Sequence, residues 1–335
     1  MNNLSDHSKL AGSLFDFNIS GFNQMALDVF RIQAEYNPVY RQYVELMGVK
    51  RDQVSSIDQI PFLPVGFFKT HKVVTGAEEP EIVFESSGTT GMVNSRHHVR
   101  DLALYRRSFI EGFRQFYGNP AEWCIIGLLP SYLERSHSSL VYMVDELIRM
   151  SGVEESGFYL YEHQQLHHTI LALEERKQKV MLIGVTFGLL DFAEQFTMRL
   201  EHTVVMETGG MKGRRQEMTR AEVHRLLTSK LGINNIHSEY GMTEMLSQGY
   251  SPGQGLFYPS RTMKVLVREE DDPRSIHDAS GSMIKGIINV IDLCNIWSCS
   301  FIATDDAGML YPDGSFEVTG RVDNSDIRGC SLMVV

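Results

Sequence analysis

The sequence predicts an α/β protein built on a mostly parallel sheet, and two observations carry that expectation. First, apolar runs at Cys124–Leu129, Val180–Val185, His202–Met206 and Ile287–Ile291 alternate with helical patterns at Ser139–Met150, His163–Lys179 and Arg220–Leu231. Second, the apolar run Ile82-Val83-Phe84 leads directly into Ser86-Ser87-Gly88-Thr89-Thr90-Gly91, a loop of hydroxyls and glycines. A strand feeding such a loop suits a backbone that wraps a phosphate chain. Glycines permit close approach, and successive N–H groups and hydroxyls converge on an anion.

The elements follow in chain order. Ser20 is placed to cap a helix carrying Phe22, Met25, Ala26, Val29 and Phe30 at helical spacing. Asn37-Pro38 breaks that pattern, and a second helix covers Val39 to Met47. Ile60 to Gly66 reads as extended, because Pro61 and Pro64 each restrict the residue before them. His97 to Val99 suits a short return strand after the phosphate loop, and Asp101 caps a helix with Leu102, Tyr105, Phe109, Phe113 and Phe116 on or near one face. Val180 to Leu190 reads as a core strand followed by a turn, with Gly184, Thr186 and Gly188 inside it. In the last third, Val265–Val267, Met283–Ile291 and Phe316–Thr319 read as shorter strands, suited to a separate small sheet or distorted barrel. A helical segment over 1–60 would then precede one main domain over 61–335.

Composition narrows the function classes. The chain has 335 residues, 43% hydrophobic and 22% charged, which is ordinary for a globular protein with a substantial core. Its formal net charge of −11 does not attract polyanions, which argues against nucleic acid or an anionic membrane as partner. No stretch is long and apolar enough to span a bilayer, and no charged-then-apolar leader opens the sequence. Cys124, Cys294, Cys299 and Cys330 lack zinc-site or disulfide-framework spacing, so a reducing cytoplasm is the expected compartment.

Three further motifs suit a nucleotide. In Glu239-Tyr240-Gly241-Met242-Thr243-Glu244 an aromatic ring, a hydroxyl and a carboxylate fall close together. Tyr240 can lie against adenine, Thr243 can reach a phosphate and Glu244 can hold Mg²⁺. Alone, the same residues are equally a helix start. Thr304-Asp305-Asp306-Ala307-Gly308 offers an Asp to a ribose diol, or a solvated turn. Gly320-Arg321-Val322-Asp323 is the third, and by itself it reads as a polar turn closing the last strand.

Taken in order with the phosphate loop, these motifs resemble the core signatures of the adenylate-forming superfamily: acyl- and aryl-CoA ligases, luciferases and nonribosomal peptide adenylation domains. The resemblance covers roughly residues 60 to 335. Pro61-Phe62-Leu63-Pro64, Phe67-Phe68-Lys69-Thr70, Ser95-Arg96-His97 and the ending Asp326-Ile327-Arg328-Gly329-Cys330-Ser331-Leu332 narrow it to sequences similar to LuxE-type acyl-protein synthetases. The resemblance implies the large N-terminal domain of an adenylate-forming enzyme, with stacked, mostly parallel sheets, helices and a small β subdomain. It assigns Ser86, Ser87, Gly88, Thr89, Thr90 and Gly91 to the ATP phosphates, Tyr240 to adenine, Thr243 to phosphate and Glu244 to magnesium. Asp306 and Arg321 would bind the ribose, and Glu207-Thr208-Gly209-Gly210-Met211 falls where the family places its adenine-side glycine loop, which as plain sequence is an ordinary turn. Asp323 falls at the family's hinge. Larger members continue into a mobile C-terminal domain with a catalytic lysine, which this sequence lacks; a partner, or Lys69, Arg96 or Lys212, would have to supply that charge.

The resemblance also implies ATP-dependent activation of a carboxylic, fatty acid as acyl-AMP, then transfer to a cysteine near the C-terminus. Cys330 holds that place; Arg328 would lower its thiol pKa and Gly329 would give it reach. As plain sequence, Cys330 equally ends a strand as a small apolar residue. The implied partners are an acyl-transferring, acyl-reducing or acyl-carrier protein. Two rivals stay open at this point: an acyl-CoA-dependent acyltransferase using His97 and Asp101 of His97-His98-Val99-Arg100-Asp101, and a non-catalytic nucleotide-binding subunit. Val93 stands where a Walker loop after Gly88 needs Gly, and no Gly-x-Ser-x-Gly occurs. His163 and His167 lack the intervening Glu of a zinc protease and read as a solvated helix face.

Overall fold

The computed structural model describes residues 4–16, 21–86, 93–129, 137–209, 218–279 and 281–322. Three helices open it: α1 (Leu4–Ser13), α2 (Phe22–Tyr36) and α3 (Pro38–Leu46). Ser20 lies outside the described residues, and the N-cap of α2 is Gly21, with no side-chain cap bond. Asn37 both stops α2 and starts α3. Its side-chain oxygen accepts from Tyr40 N at 3.0 Å, and Pro38 occupies the first helical position, where no N–H is needed.

The proline-bounded segment forms β1 (Leu63–Pro64), followed by α4 (Phe67–Thr70). Strands β2 (Ile82–Glu85) and β3 (Arg96–Val99) pair antiparallel and flank the phosphate-loop sequence, whose residues 87–92 lie outside the described ones. Asp101 then caps α5 (Leu102–Tyr117), accepting from Leu104 N at 2.8 Å.

The predicted alternation builds the parallel part: β4 (Cys124–Leu128), α6 (Ser139–Met150), β5 (Gly157–Phe158), α7 (His163–Glu175), β6 (Val180–Val185), α8 (Thr186–Gln195), β7 (Thr203–Thr208), α9 (Arg220–Leu231) and β8 (His237–Tyr240). In space the strands run β5-β4-β6-β7-β8, all parallel. Both faces are covered, as parallel sheets require. Ile125, Met181 and Ile183 point into the larger core with the N-terminal helices, while Cys124, Ile126, Val180 and Leu182 point into a second core under α7, α8 and α9.

Two expectations change here. Val180 to Leu190 is a strand running straight into a helix, with no turn between. A Cβ on Gly184 would stand 2.7 Å from the Leu189 side chain, so this glycine lets α8 fold back on β6. The last third is not a detached set of short strands. β9 (Gly249–Ser251), β10 (Leu256–Pro259), β11 (Met263–Arg268), β12 (Ile276–His277), β13 (Ile284–Asp292), β14 (Phe301–Leu310) and β15 (Phe316–Arg321) continue the sheet from β8 in the order β9-β10-β15-β14-β13-β11-β12, antiparallel throughout. Strands β13 and β14, at 9 and 10 residues, are its longest. The acids at the middle of β14 hid its length from an apolar-run reading.

The first four residues of β14 are buried, and there the strand lies between β13 and the parallel β1. Phe301 anchors it, with the rings of Phe30, Tyr40 and Phe62 about it at 6.0, 5.9 and 6.0 Å. The N-terminal helices therefore share the main core. Among the described residues, no helix is long and apolar enough to cross a membrane.

Candidate active site

The register of β14 breaks at the Thr304-Asp305-Asp306 motif. Ala303 and Ala307 pair with Asn289 and Ile287 of β13, so Thr304, Asp305 and Asp306 stand opposite the single residue Ile288. Such a bulge re-aims side chains. Thr304 holds it closed: its hydroxyl donates to Ile288 O at 2.7 Å and accepts from Asp306 N at 3.1 Å. The motif is thus a buried bulge in a strand, not the solvated turn that adjacent acids suggest.

Asp306 meets two other predicted residues there. The Tyr240 hydroxyl, at the end of β8, donates to Asp306 Oδ2 at 2.9 Å. Burial first, and then the Asp306 charge, push the phenol well above its ordinary range, so it stays a donor. Arg321 is the register partner of Asp306 on β15, with Nε 3.3 Å from Oδ1 and Nη2 3.8 Å from Asp305. The Tyr240 ring stands edge-on to Phe257 and Phe316, with centroids at 5.9 and 5.3 Å. An aromatic ring, a carboxylate and a guanidinium from three strands form one cluster, the set a nucleoside needs.

The turn after β8 carries Thr243 and Glu244. It is held through its main chain. His97 Nδ1–H donates to Thr243 O at 2.8 Å, and Asn295 Nδ2 donates to Glu244 O at 2.7 Å. Asp292 Oδ2 accepts from Leu246 N and Ser247 N at 2.6 and 3.0 Å, while Oδ1 accepts from Ser247 Oγ at 2.6 Å. Burial raises the Asp292 carboxyl pKa, and these hydrogen bonds oppose the rise. Burial pushes the His97 imidazole down to about 4, so it is neutral near pH 7 and carries its proton on Nδ1. Glu244 is buried beside the half-buried Thr243. One carboxylate next to a hydroxyl fits Mg²⁺, which usually keeps several waters and is held by one or two carboxylates and phosphate oxygens.

Gly209 adopts φ +76°, which favours glycine, and its carbonyl accepts from the Thr186 hydroxyl at 2.5 Å. Gly209 thus has a left-handed backbone; Gly210 and Met211 lie outside the described residues. Ser86 sits at the mouth of the β2–β3 hairpin, where its N–H donates to Ser95 O at 3.0 Å and its Oγ accepts from Ser95 N at 2.9 Å. Ser87, Gly88, Thr89, Thr90, Gly91, Lys212, Asp323, Arg328, Gly329 and Cys330 lie outside the described residues.

The structure does not bring His97 and Asp101 into a catalytic pair. His97 is committed to the Thr243 carbonyl and Asp101 to its helix cap. His163 bonds Gln195 and His167 stacks on Phe196 at 4.5 Å, so these two serve separate surface contacts. Cys124, Cys294 and Cys299 are buried as expected, and burial pushes their thiols up to about 11, 12 and 12. Sequence reasoning missed Glu239. It accepts from the Thr208 hydroxyl at 2.6 Å, and burial pushes it up to about 7. Its place one residue before Tyr240 was a signal that it borders the site.

The chain matches the family model described as LuxE, acyl-protein synthetase, over residues 16–335. It is 23% identical over 337 residues to a long-chain-fatty-acid–luciferin-component ligase from Aliivibrio fischeri, covering 92% of this chain and 86% of that protein. A Photorhabdus luminescens protein of the same name is 37% identical over 70 residues, 21% of this chain and 60% of its own. Among solved structures, an open conformation of 2-hydroxyisobutyryl-CoA ligase, in complex with 2-HIB-AMP and CoA, superposes with a TM-score of 0.61 at 12% identity. The match covers 90% of this chain and 70% of that one, and it establishes the fold. The chain belongs to the LuxE acyl-protein synthetase family.

Proposed function

We propose, from that membership, that the protein uses ATP to activate a carboxylic acid of the long-chain fatty class and passes the acyl group to a thiol. The convergence of Tyr240, Asp306 and Arg321 carries this reading. In it, the Tyr240 ring lies against adenine, Asp306 accepts from the ribose diol, and Arg321 orients Asp306. The Ser86–Gly91 loop and Thr243 hold the phosphates. Mg²⁺, held by Glu244, would supply neutralising charge at the phosphate oxygens.

The first step forms a bond from a substrate carboxylate oxygen to the α-phosphorus and breaks the α–β phosphoanhydride, releasing pyrophosphate. Hydrogen-bond donors fixed before reaction stabilise the charge that develops there. In the second step a thiolate attacks the acyl carbon, the acyl–oxygen bond breaks and AMP leaves. Cys330 is the proposed thiol. The other three cysteines support it, since burial holds them protonated and out of reach. An acyl-transferring, acyl-reducing or acyl-carrier protein is the proposed partner, and the free thiols of the three described cysteines suit a cytoplasmic setting.

The test is carboxylate-dependent exchange of labelled pyrophosphate into ATP across a panel of acids of graded chain length. Exchange that rises with apolar chain length supports the reading. ATP binding without exchange for any acid would establish a non-catalytic nucleotide-binding subunit, and acyl-CoA turnover without ATP an acyltransferase.

A further inference from the structure

We infer that His97, Asn295 and Asp292 are positioning residues that lock the turn presenting Thr243 and Glu244, a role that rests on the reading of that turn given above. None of the three was assigned to the nucleotide site from its motifs, and they come from two parts of the chain. His97 lies on β3, Asp292 ends β13, and Asn295 belongs to the short 3-10 helix Leu293–Trp297. All three are essentially inaccessible to solvent.

Their bonds fall on the main chain of one turn, residue after residue. The carbonyls of Thr243 and Glu244 each receive one side-chain donor, and the N–H groups of Leu246 and Ser247 converge on one carboxylate oxygen. With successive carbonyls tied to separate side chains, neither peptide plane can rotate without leaving a buried acceptor unsatisfied, at a cost of about 1–3 kcal/mol for each. Asp292 also accepts from Cys294 N at 3.1 Å, so the 3-10 helix that delivers Asn295 is fixed by the residue that holds the other end of the turn. The Thr243 hydroxyl and Glu244 carboxylate are thereby presented from a backbone that is set before ligand arrives. Side chains committed to backbone in this way do the work of a supporting layer, holding reactive groups within a fraction of an ångström.

The Nδ1 bond to Thr243 O makes a test possible, because it needs only a donor at that place. An Asn at this position can offer its Nδ2 where imidazole offers Nδ1, whereas Leu offers no donor. The comparison is His97→Asn against His97→Leu, with Asn295→Ser as an independent second lesion, all in the full chain. Hydrogen–deuterium exchange without ligand is the first measurement. His97→Leu and Asn295→Ser should speed exchange across 244–248 by about tenfold beyond any change elsewhere, and His97→Asn should stay near wild type. The second is the Mg²⁺ concentration for half-maximal pyrophosphate exchange. It should rise about fivefold or more in the two lesions, with the KM for the acid unchanged, and return in His97→Asn.

Unchanged local exchange in both lesions overturns the lock. So does faster local exchange with an unaltered Mg²⁺ requirement, since the turn would then not be what the site depends on. A wild-type chain that exchanges pyrophosphate with no acid overturns the functional reading instead, and the positioning role with it. If His97→Leu fails to fold, Asn295→Ser decides by the same two measurements.

Discussion

Tyr240 and Asp306 lie 66 residues apart and share a buried hydrogen bond of 2.9 Å, with the hydroxyl donating to Oδ2. A bond to a buried carboxylate contributes about 1.5–3 kcal/mol. Tyr240→Phe keeps the ring and removes that bond. We expect ATP to bind at least about tenfold more weakly by calorimetry, with KM for the acid little changed. Wild-type ATP affinity in Tyr240→Phe would remove this contact from the nucleotide site.

The adjacent acids separate cleanly. Asp305 has a half-exposed side chain 3.8 Å from Arg321, so Asp305→Asn should alter stability by less than about 1 kcal/mol and leave exchange activity intact. Asp306→Ala removes the carboxylate 3.3 Å from the buried Arg321 together with the proposed ribose ligand, and should cost more stability than Asp305→Asn and abolish exchange. Thermal denaturation and pyrophosphate exchange on both variants check this. Equal effects at the two positions would contradict it.

Glu239 and His97 impose opposite pH slopes on stability. The folded protein holds the Glu239 proton up to about pH 7 against an ordinary value of 4.5, so N binds more protons than U between those values and stability falls as pH rises through them. His97 is pushed from 6.5 down to about 4, so U binds more protons there and stability is lost as pH falls from 6.5 towards 4. Glu239→Gln should therefore be more stable than wild type at pH 8, by about 1–3 kcal/mol, with the gain vanishing near pH 4.5. His97→Asn should flatten the acid limb. Denaturant unfolding from pH 4 to 8 reads both. A Glu239→Gln gain that does not shrink on acidification would mean that the carboxyl titrates normally.

Gly308 follows the bulge of β14, where a Cβ would meet Glu317 O at 2.3 Å and Ile288 Cδ1 at 2.7 Å. The first obstacle is backbone and cannot swing away, so Gly308→Ala should cost about 3 kcal/mol or more. Gly66→Ala, with nothing within 4 Å, should change stability by less than about 1 kcal/mol. Melting temperatures of the pair are the measurement, and a Gly308→Ala protein as stable as Gly66→Ala would refute the crowding.

Cys330 is tested by the chemistry it is proposed to do. After turnover with ATP and a fatty acid, intact mass should show one acyl adduct on the wild type and none on Cys330→Ser. An undiminished adduct on the variant would move the acceptor elsewhere.

Local chemistry made much of the fold readable in advance. Asn37-Pro38 and Asp101 act through bonds to residues three positions away, and Ser139–Met150 and Arg220–Leu231 carry their periodicity within one segment. Tyr240, Asp306 and Arg321 were legible as motifs, though their mutual contact depends on strand order. Asp292 and Asn295 were not legible at all, because they bind main-chain atoms of residues about 45 to 51 positions away, and a backbone carbonyl leaves no mark in a sequence. Gly184 misled for a related reason. Glycine signals absent volume, whether a turn or a neighbouring Leu189 uses it.

The bulge at Thr304 to Asp306 carries one more consequence. Between matched partners, β14 has three residues where β13 has one, a surplus of two. Because two is the side-chain period of a strand, the surplus leaves every later residue of β14 facing the same way as before. A chain shortened by Asp305 and Asp306 would keep its inside and outside in order and lose both acids, with the contacts that Asp306 makes to Tyr240 and Arg321. The facing of β14 and the acids it carries to the site are thus written in separable stretches of one strand.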